Sequence, residues 1–323
     1  MIFFAKWPVL VAFALAGFSG SAMCDKGVPK TQPVAQAPQQ SAQVPLLWKV
    51  SDKDNSIYLL GSFHLLKQSD YPLSPDVDAA FADAKSVMFE IDIDSMSSPE
   101  ALTSVKRYAM LDPGKKLSDL LPPETKQKLE AIFKLTGATM DQVDSSAPWA
   151  LDTGLVIGLS QSLGFSQDAG MDKQMAARAK AAGKPMLALE TLESQIKAIH
   201  DTPLEEQVTG ITDFVNDPKQ LALDLLKLHE DWMKGDAQTL DQTLRGKMEK
   251  ETPESYRLIN VARNDAWVPQ LQALLDQHSK GDNTLVVVGA MHLLGQDGVV
   301  EKLRAKGYKV ERICSACPAV QAH

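Results

Sequence analysis

The order of apolar and polar positions along the chain predicts short strands separated by helices. Continuous apolar runs of strand length cover residues 46–51, 56–61, 85–91, 185–190, 284–289 and 308–313. Helical patterns fill the intervals, and breaks at Thr202-Pro203, at residues 216–218 and at Gly235 divide residues 191–246 into several helices. Strands interleaved with helices predict an α/β fold: a central mixed or mostly parallel sheet covered by helices, with a helix-rich middle insertion.

A long helix is predicted over residues 253–279. One of its faces is polar and aromatic, with residues at positions i, i+4, i+7, i+8 and i+11, namely Tyr256, Asn260, Arg263, Asn264 and Trp267. A central arginine on such a face can bind a substrate carboxylate or a developing oxyanion. Arg263 and Asn264 are therefore candidate catalytic residues, and the alternative is that this face is simply solvated.

Composition and charge narrow the class of protein. The chain has 323 residues with 44% hydrophobic and 23% charged content, which is typical of a globular protein. The formal net charge is −8 and no basic block occurs, which argues against nucleic acid as a partner. We expect one α/β domain over residues 46–313.

The amino-terminal residues predict export. Residues 1–22 combine Lys6, a short apolar run and small residues at a cleavage position, as in a signal peptide; a retained anchor is the alternative. Cys24 stands where a lipoprotein carries its acylated cysteine, so a lipid there is the one expected membrane contact. Residues 23–45 form a disordered linker rich in Pro and Gln. We expect a periplasmic location or a lipid anchor in the envelope.

The carboxy-terminal tail, residues 314–323, contains a C-x-x-C motif. In an exported chain, Cys314 and Cys317 are expected to form a local disulfide. A redox motif normally opens a helix after a strand, whereas Pro318 and a short tail follow here. Two cysteines alone do not complete a zinc site.

One short pattern occurs twice, near the two ends of the predicted domain. Residues 57–66 and 285–294 each contain an apolar run, a glycine, two residues, a histidine and Leu-Leu. Gly61 and Gly289 are expected to release the backbone where the strand ends, and His64 and His292 then follow strand ends, where open α/β sheets bind ligands. The two imidazoles can converge on one ion, or each can be a buried histidine that caps its strand.

Two carboxylates occupy matching positions. Glu90 and Glu190 each end an apolar strand, so four strand ends carry His64, Glu90, Glu190 and His292. Parallel strands would place all four on one edge, and this N/O set suits zinc, manganese, cobalt or iron. Such an ion lowers the pKa of its bound water.

A carboxylate that is not a metal ligand can accept the proton of the attacking water, and Glu190 and Glu193 are the candidates. Taken alone, each glutamate can instead be an acid near a helix N-terminus. Asp172 is expected to be an N-terminal cap or first-turn acid of its helix.

A set of motifs resembles the TraB/GumN family over residues 46–313. The residues that carry the resemblance are Gly61-x-x-His64, Phe89-Glu90-x-Asp92, Gly170-Met-Asp172, Leu189-Glu190-Thr191-x-Glu193-x-Gln195, Arg263-Asn264 and Val288-Gly289-x-x-His292-Leu-x-Gly295. The family includes the animal TIKI proteases. The resemblance implies a fold shared with erythromycin esterases and haem-binding ChaN-like lipoproteins.

The TIKI branch implies peptide-bond cleavage, with catalytic roles that would fall on His64, His292, Glu90 and Glu190. The motif H-E-x-x-H is absent, so the chain is no ordinary zincin. We therefore expect an exported metal-dependent hydrolase, a peptidase, with Zn, Mn or Co on His64, His292 and one or both glutamates. Its partner would be a peptide or protein substrate. The alternatives are a haem- or metal-binding protein without turnover and a non-catalytic accessory protein of polysaccharide export.

Overall fold

A six-stranded sheet lies at the centre of the computed structural model, which describes residues 43–277 and 281–317. Its strands are Leu47–Ser51 (β1), Ser56–Ser62 (β2), Ser86–Phe89 (β3), Met186–Ala188 (β4), Thr284–Gly289 (β5) and Lys309–Arg312 (β6). The order across the sheet is β4-β3-β5-β2-β1-β6. All six predicted strands are present, with ends within about two residues of the expected ones.

The strand directions bring four strand ends to one edge of the sheet. β2 pairs in parallel with β5, β5 with β3, and β3 with β4, whereas β1 runs antiparallel to β2 and β6. In register, Ser62 lies opposite Gly289, and Phe89 lies opposite both Val287 and Ala188. The predicted mixed, mostly parallel sheet is confirmed, and the carboxyl ends of β2, β3, β4 and β5 share one edge.

Helices pack around this sheet. In chain order, α1–α14 span Pro75–Asp83, Pro99–Tyr108, Leu117–Leu120, Pro123–Thr136, Pro148–Ser162, Met171–Ala181, Leu192–His200, Leu204–Asn216, Pro218–Met233, Ala237–Leu240, Gly246–Glu251, Pro253–Tyr256, Ala262–Gln277 and Val299–Ala305. Single π-helical turns occur at Asp241–Arg245 and Arg257–Val261, and 3₁₀ turns at Gln68–Asp70, Asp94–Ser97, Met140–Gln142 and Ala290–Leu293.

The helix breaks expected at Thr202-Pro203, at residues 216–218 and at Gly235 are confirmed by the ends of α7, α8 and α9. The long helix predicted over residues 253–279 forms as α12, a π turn and α13, and its last two predicted residues lie outside the described part. The sequence reading missed α2. None of its residues is fully buried, although Ala101, Val105 and Tyr108 lie on one face and pack against a cluster of buried residues.

The core has one main part and two smaller ones. The main cluster packs both faces of the sheet against α1, α6, α9, α13 and α14. A second cluster joins α5, α7 and α12 to Ile91 and Met291, which directly follow β3 and β5. A third lies among α3, α4, α5 and α8. The helix-rich middle of the chain therefore covers the edge at which the parallel strands end.

The ends of the described chain are tied to the domain. The Val44 N–H donates to the Met233 carbonyl (3.0 Å), and Arg312 donates to the Pro45 carbonyl (2.5 Å). The predicted disulfide between Cys314 and Cys317 is confirmed. Within residues 43–277 and 281–317 no helix has the length and apolar character needed to cross a bilayer. The expected signal peptide, Cys24 and most of the linker lie outside the described residues.

A buried hydrogen bond between two side chains holds the loop after β2 against α9. Asp70 Oδ2 accepts the Nε2–H of His229 (2.9 Å) and the backbone N–H of Lys67 (2.8 Å), and the Asp70 side chain is only 4% exposed. Burial raises the pKa of Asp70, but these hydrogen bonds outweigh burial and bring the pKa below its ordinary 3.8. Asp70 therefore stabilises the fold above that pH, and the contribution disappears as the pH falls through the lowered pKa.

We expect Asp70→Asn to lower the free energy of unfolding by about 1–3 kcal/mol near neutral pH, since a buried charge-assisted hydrogen bond is lost. The deficit should shrink once the pH falls below about 4, where the wild-type carboxylate also becomes protonated. Urea unfolding of both proteins at a series of pH values measures this. Asp168→Asn, which removes an exposed carboxylate paired with Lys173, is the control. A deficit independent of pH would contradict the assignment.

Candidate functional site

The two G-x-x-H motifs meet at the ends of neighbouring strands. His64 follows β2, and His292 lies in the 3₁₀ turn after β5. A Cβ atom placed on Gly289 would have Glu90 Oε1 at 3.2 Å, His64 Nε2 at 3.3 Å and His292 Cδ2 at 3.7 Å. Two imidazoles and one carboxylate from three separate parts of the sequence therefore face the same point.

The glycines of these motifs are needed for space and not for backbone freedom. Gly289 has φ −50°, and neither Gly61 nor Gly289 is among the glycines with positive φ. The expectation that they release the backbone is wrong. A Cβ on Gly61 would lie 3.0 Å from Leu46 Cβ and 3.2 Å from Ala290 Cα, whereas a Cβ on Gly289 would enter the site. Both positions favour glycine because another group already fills the space.

The two glutamates lie side by side because the β3–β4 pairing continues past the strands. The Glu190 N–H donates to the Glu90 carbonyl (2.9 Å), directly after the Leu189 N–H bonds to the Phe89 carbonyl. Arg263, from α13, lies between the two carboxylates. Its Nη2 donates to Glu90 Oε2 (2.6 Å) and its Nε donates to Glu190 Oε1 (2.7 Å).

The Glu90 carboxylate has several further partners. Its Oε1 accepts the Gly289 N–H (2.6 Å), and its Oε2 accepts Gln195 Nε2–H (2.9 Å). Burial raises the pKa of Glu90, but the adjacent Arg263 guanidinium, the two histidines and the Gly289 N–H together outweigh burial and hold the pKa well below its ordinary value. For Glu190, burial outweighs the same guanidinium and raises the pKa. Glu90 is a fixed anion, whereas Glu190 exchanges a proton closer to neutral pH.

Arg263 makes several contacts inside the protein. Besides the two carboxylates, its Nη1 donates to the Ile259 carbonyl (3.1 Å) and to His292 Nε2 (3.0 Å), and its Nη2 also contacts Glu190 Oε1 (2.5 Å). Four of these contacts are hydrogen bonds, and the fifth is an ion-pair contact. In this arrangement all three guanidinium nitrogens contact protein groups, so binding of a substrate carboxylate or an oxyanion would have to replace one of these contacts. The catalytic role of Arg263 stays a prediction.

The polar and aromatic face of the predicted helix is buried and not solvated. Its five members, Tyr256, Asn260, Arg263, Asn264 and Trp267, are each no more than 5% exposed. The Trp267 ring lies 4.7 Å below the Arg263 guanidinium and 4.5 Å from the His292 ring. This face therefore forms one wall of the site.

His292 is held neutral, with its proton on Nδ1. Asn264 Nδ2 donates to the Asp297 carbonyl (2.8 Å), which orients the amide so that Asn264 Oδ1 accepts from His292 Nδ1 (2.7 Å). His292 Nε2 then offers its lone pair to Arg263. Burial and the positive charge of Arg263 lower the pKa of His292 to about 3. Asn264, a candidate catalytic residue, is a partner of His292 in this structure.

His64 lies beside a carboxylate, whereas His292 lies beside an amide and a guanidinium. Its Nδ1 donates to Asp172 Oδ2 (2.6 Å), and Ser62 Oγ donates to Asp172 Oδ1 (2.8 Å). Burial lowers the pKa of His64, but Asp172 and then Glu90 outweigh burial and raise the pKa to about 9. The His64 side chain is 26% exposed. His64 is thus a solvent-accessible imidazolium near neutral pH.

Asp172 reaches His64 because α6 begins directly against the loop after β2. A Cβ on Gly170 would lie only 2.1 Å from the His64 carbonyl oxygen, so only glycine permits this approach. The Met171 N–H then donates to the Phe63 carbonyl (3.1 Å). Asp172 is a first-turn acid, as expected, but sequence reasoning missed its contact with His64. The motif Gly170-Met-Asp172 was the available signal.

Other acids near these motifs lie outside the cluster. The Glu193 carboxylate is 56% exposed and pairs with Arg107 on α2. Asp94 pairs with Lys180, and Asp92 accepts the Asp94 N–H. β3 ends at Phe89, so Asp92 and Asp94 lie beyond the strand. Gln195, which sequence reasoning named only within a motif, does reach Glu90.

The four predicted metal ligands can be tested against this geometry. Both histidines donate Nδ1–H to an oxygen and direct Nε2 inward, as metal-binding histidines do. However, Glu90 Oε2, Glu190 Oε1 and His292 Nε2 already contact Arg263. An ion about 2.0–2.2 Å from those atoms would lie against the guanidinium, and the two cations would repel.

The four residues therefore do not fit a divalent ion while Arg263 stays in place. Among the described residues, no group of three or more His, Cys, Asp or Glu is arranged to hold a metal. The metal site stays a prediction.

We expect Gly289→Ala to destabilise the protein by about 1–3 kcal/mol, because the added methyl would crowd His64 and Glu90 in a packed site. Chemical denaturation measures the loss, and NMR titration of His64 reports displacement of its ring. Gly154→Ala is the matched control. Nothing lies within 4 Å of its added methyl, and alanine favours its helix. Equal stability of Gly289→Ala and wild type would contradict the proposed crowding.

Comparison with known proteins agrees with the motif order. "Uncharacterized protein YbaP" of Escherichia coli (strain K12) is 24% identical over 247 residues, which is 76% of this chain and 87% of that protein. The protein of the same name in Shigella flexneri matches equally. No solved structure matches with significance. The model of the TraB/PrgY/gumN family matches residues 46–312, so the chain belongs to the TraB/PrgY/gumN family.

Proposed function

We propose that the protein is an exported hydrolase that adds water to a carbonyl carbon, with a peptide bond as the substrate. One observation carries the proposal: the cluster offers solvent a carboxylate that can accept a proton and an imidazole that can donate one. These are Glu190, whose pKa is raised, and His64, whose pKa is about 9. Such a pair is the usual basis of acid–base catalysis.

His64 and Glu190 are partly exposed to solvent. Their side chains are 26% and 12% exposed, whereas those of Glu90 and Arg263 are 8% and 5% exposed. Among the described residues His64 Nε2 has no hydrogen-bond partner, and the nearest partner of Glu190 Oε2 is Ser194 Oγ at 3.4 Å. Each of these two side chains therefore has an atom that can bind water or a substrate.

In the proposed reaction, Glu190 accepts a proton from water while the water oxygen bonds to the substrate carbonyl carbon. The Nε2–H of His64 stabilises the negative charge on the carbonyl oxygen. His64 then gives its proton to the leaving amine as the carbon–nitrogen bond breaks. Transfer of the proton from Glu190 back to His64 through solvent restores both groups.

The buried residues would hold this geometry. Asp172 orients His64 and favours its charged form. Glu90, Arg263 and His292 fix the edge of the sheet beside it, and rigid support of this kind is what a catalytic pair requires. Family membership supports a hydrolase through the TIKI branch, which implies peptide-bond cleavage. Export rests on residues 1–22, which lie outside the described part of the chain.

We expect His64→Ala and Glu190→Gln each to lower kcat/KM by at least about 100-fold, because each removes one proton-transfer group. Cleavage of unfolded casein and of internally quenched peptides measures this. The control is His200→Ala, which changes an exposed histidine at the end of α7. Circular dichroism should show intact folding of all three variants. Full activity of His64→Ala or Glu190→Gln would contradict the assignment.

The pH dependence separates the two roles. The alkaline limb of kcat/KM should lie near pH 9, where His64 loses its proton. Asp172→Asn removes the charge that raises the pKa of His64, so this limb should move to lower pH, whereas the acid limb set by Glu190 should stay. A pH–rate profile of both proteins measures the shift. An alkaline limb that does not move would show that another group titrates there.

A further inference from the structure

The guanidinium of Arg263 occupies the place in which the sequence predicts a metal ion. It contacts Glu90, Glu190 and His292 at 3.0 Å or less, through atoms that would otherwise be free to bind a metal. One oxygen or nitrogen of each residue is involved. We infer that Arg263 is the permanent cation of this site and excludes divalent ions from it, so that removing the guanidinium leaves a divalent-metal site.

The charges of the site favour this inference. Glu90 is buried and Glu190 is partly buried, a backbone hydrogen bond joins the two residues, and two such carboxylates need a nearby cation. Arg263 supplies one positive charge that no ordinary pH removes. A divalent ion would have to displace four hydrogen bonds and one further ion-pair contact made by one buried side chain.

The donor set left by removal of Arg263 has the right chemistry for a first-row divalent cation. It consists of two carboxylates and one imidazole, and His292 already directs the Nε2 lone pair toward them. The Asn264 contact fixes that tautomer, as outer partners of metal-bound histidines do. His64 Nε2 and Glu90 Oε1 both lie close to Gly289, so a fourth ligand is near.

The test uses Co²⁺ as the probe, measured by equilibrium dialysis and by its visible absorption. Wild-type protein should bind no Co²⁺ at this site. Arg263→Met keeps an unbranched side-chain stem but removes the guanidinium and its charge, and should bind about one Co²⁺ per chain, at least about 100-fold more tightly than wild type. Arg263→Lys keeps the charge and should not gain affinity.

Two controls assign the gain to the site. Arg257→Met removes an exposed arginine that pairs with Glu254 on the preceding turn, and should behave like wild type. Arg263→Met combined with His292→Ala should lose the new affinity. Arg263→Met that binds Co²⁺ no more tightly than Arg257→Met would overturn the inference. The inference would also be overturned if wild-type protein retained about one divalent ion per chain and the His292→Ala variant did not.

Removal of the guanidinium leaves the two carboxylates without a nearby cation, which can prevent Arg263→Met from folding. The inference can still be tested in that case. If it folds with Co²⁺ and not without, the inference is supported. If it folds in neither condition, the melting temperature of the wild-type protein is measured with and without excess Co²⁺. A rise that is absent in His292→Ala overturns the inference, and an unchanged melting temperature supports it. These readouts measure ion binding alone, so they are independent of whether any peptide is cleaved.

Discussion

A buried positive charge that must be neutralised on three sides sets the geometry of this protein. Arg263 is 5% exposed, and a guanidinium at that depth is tolerated only when its charge and its N–H groups are matched. Its partners come from the ends of β3 and β4, from the turn after β5 and from its own helix. The long helix can therefore pack on the sheet in one register only, with the strand ends aligned beneath it. Loss of either carboxylate would leave part of the guanidinium buried without a hydrogen-bond partner.

The same charge makes two similar motifs behave differently. His64 and His292 each follow Gly-x-x after a parallel strand, and each donates Nδ1–H to an oxygen. The oxygen beside His64 belongs to a carboxylate, which raises the pKa, whereas His292 contacts an amide and the Arg263 guanidinium, so its pKa falls. A repeated local sequence thus produces one charged, accessible imidazole and one neutral, buried imidazole. The difference arises from the tertiary partners and not from the motif.

Local patterns were sufficient for the fold and for the assembly of the strand ends. Apolar runs located all six strands, and parallel pairing then brings the carboxyl ends of β2, β3, β4 and β5 to one edge whatever lies between them in sequence. The same patterns do not predict which side chains contact each other. Asp172 lies 108 residues from His64, and Arg263 lies 173 residues from Glu90. Which acid meets which base depends on how α6 and α13 pack, and periodicity carries no information about that. Glu193 is close to Glu190 in sequence but not in its contacts, because it lies about one helical turn further on, at the surface beside α2.

An arginine on the polar face of a helix suggests ligand binding, and the sequence alone offers no way to count its partners. Counting them in the structure changes the conclusion. A guanidinium whose three nitrogens all contact protein groups cannot also bind a substrate without giving up a contact, and in a buried site each lost hydrogen bond is costly. The reaction proposed above therefore uses neighbouring atoms that solvent can reach, which are His64 Nε2 and Glu190 Oε2. The partners and exposure of each side chain, more than the identity of the residue, separate the groups that hold the site from those to which we assign the reaction.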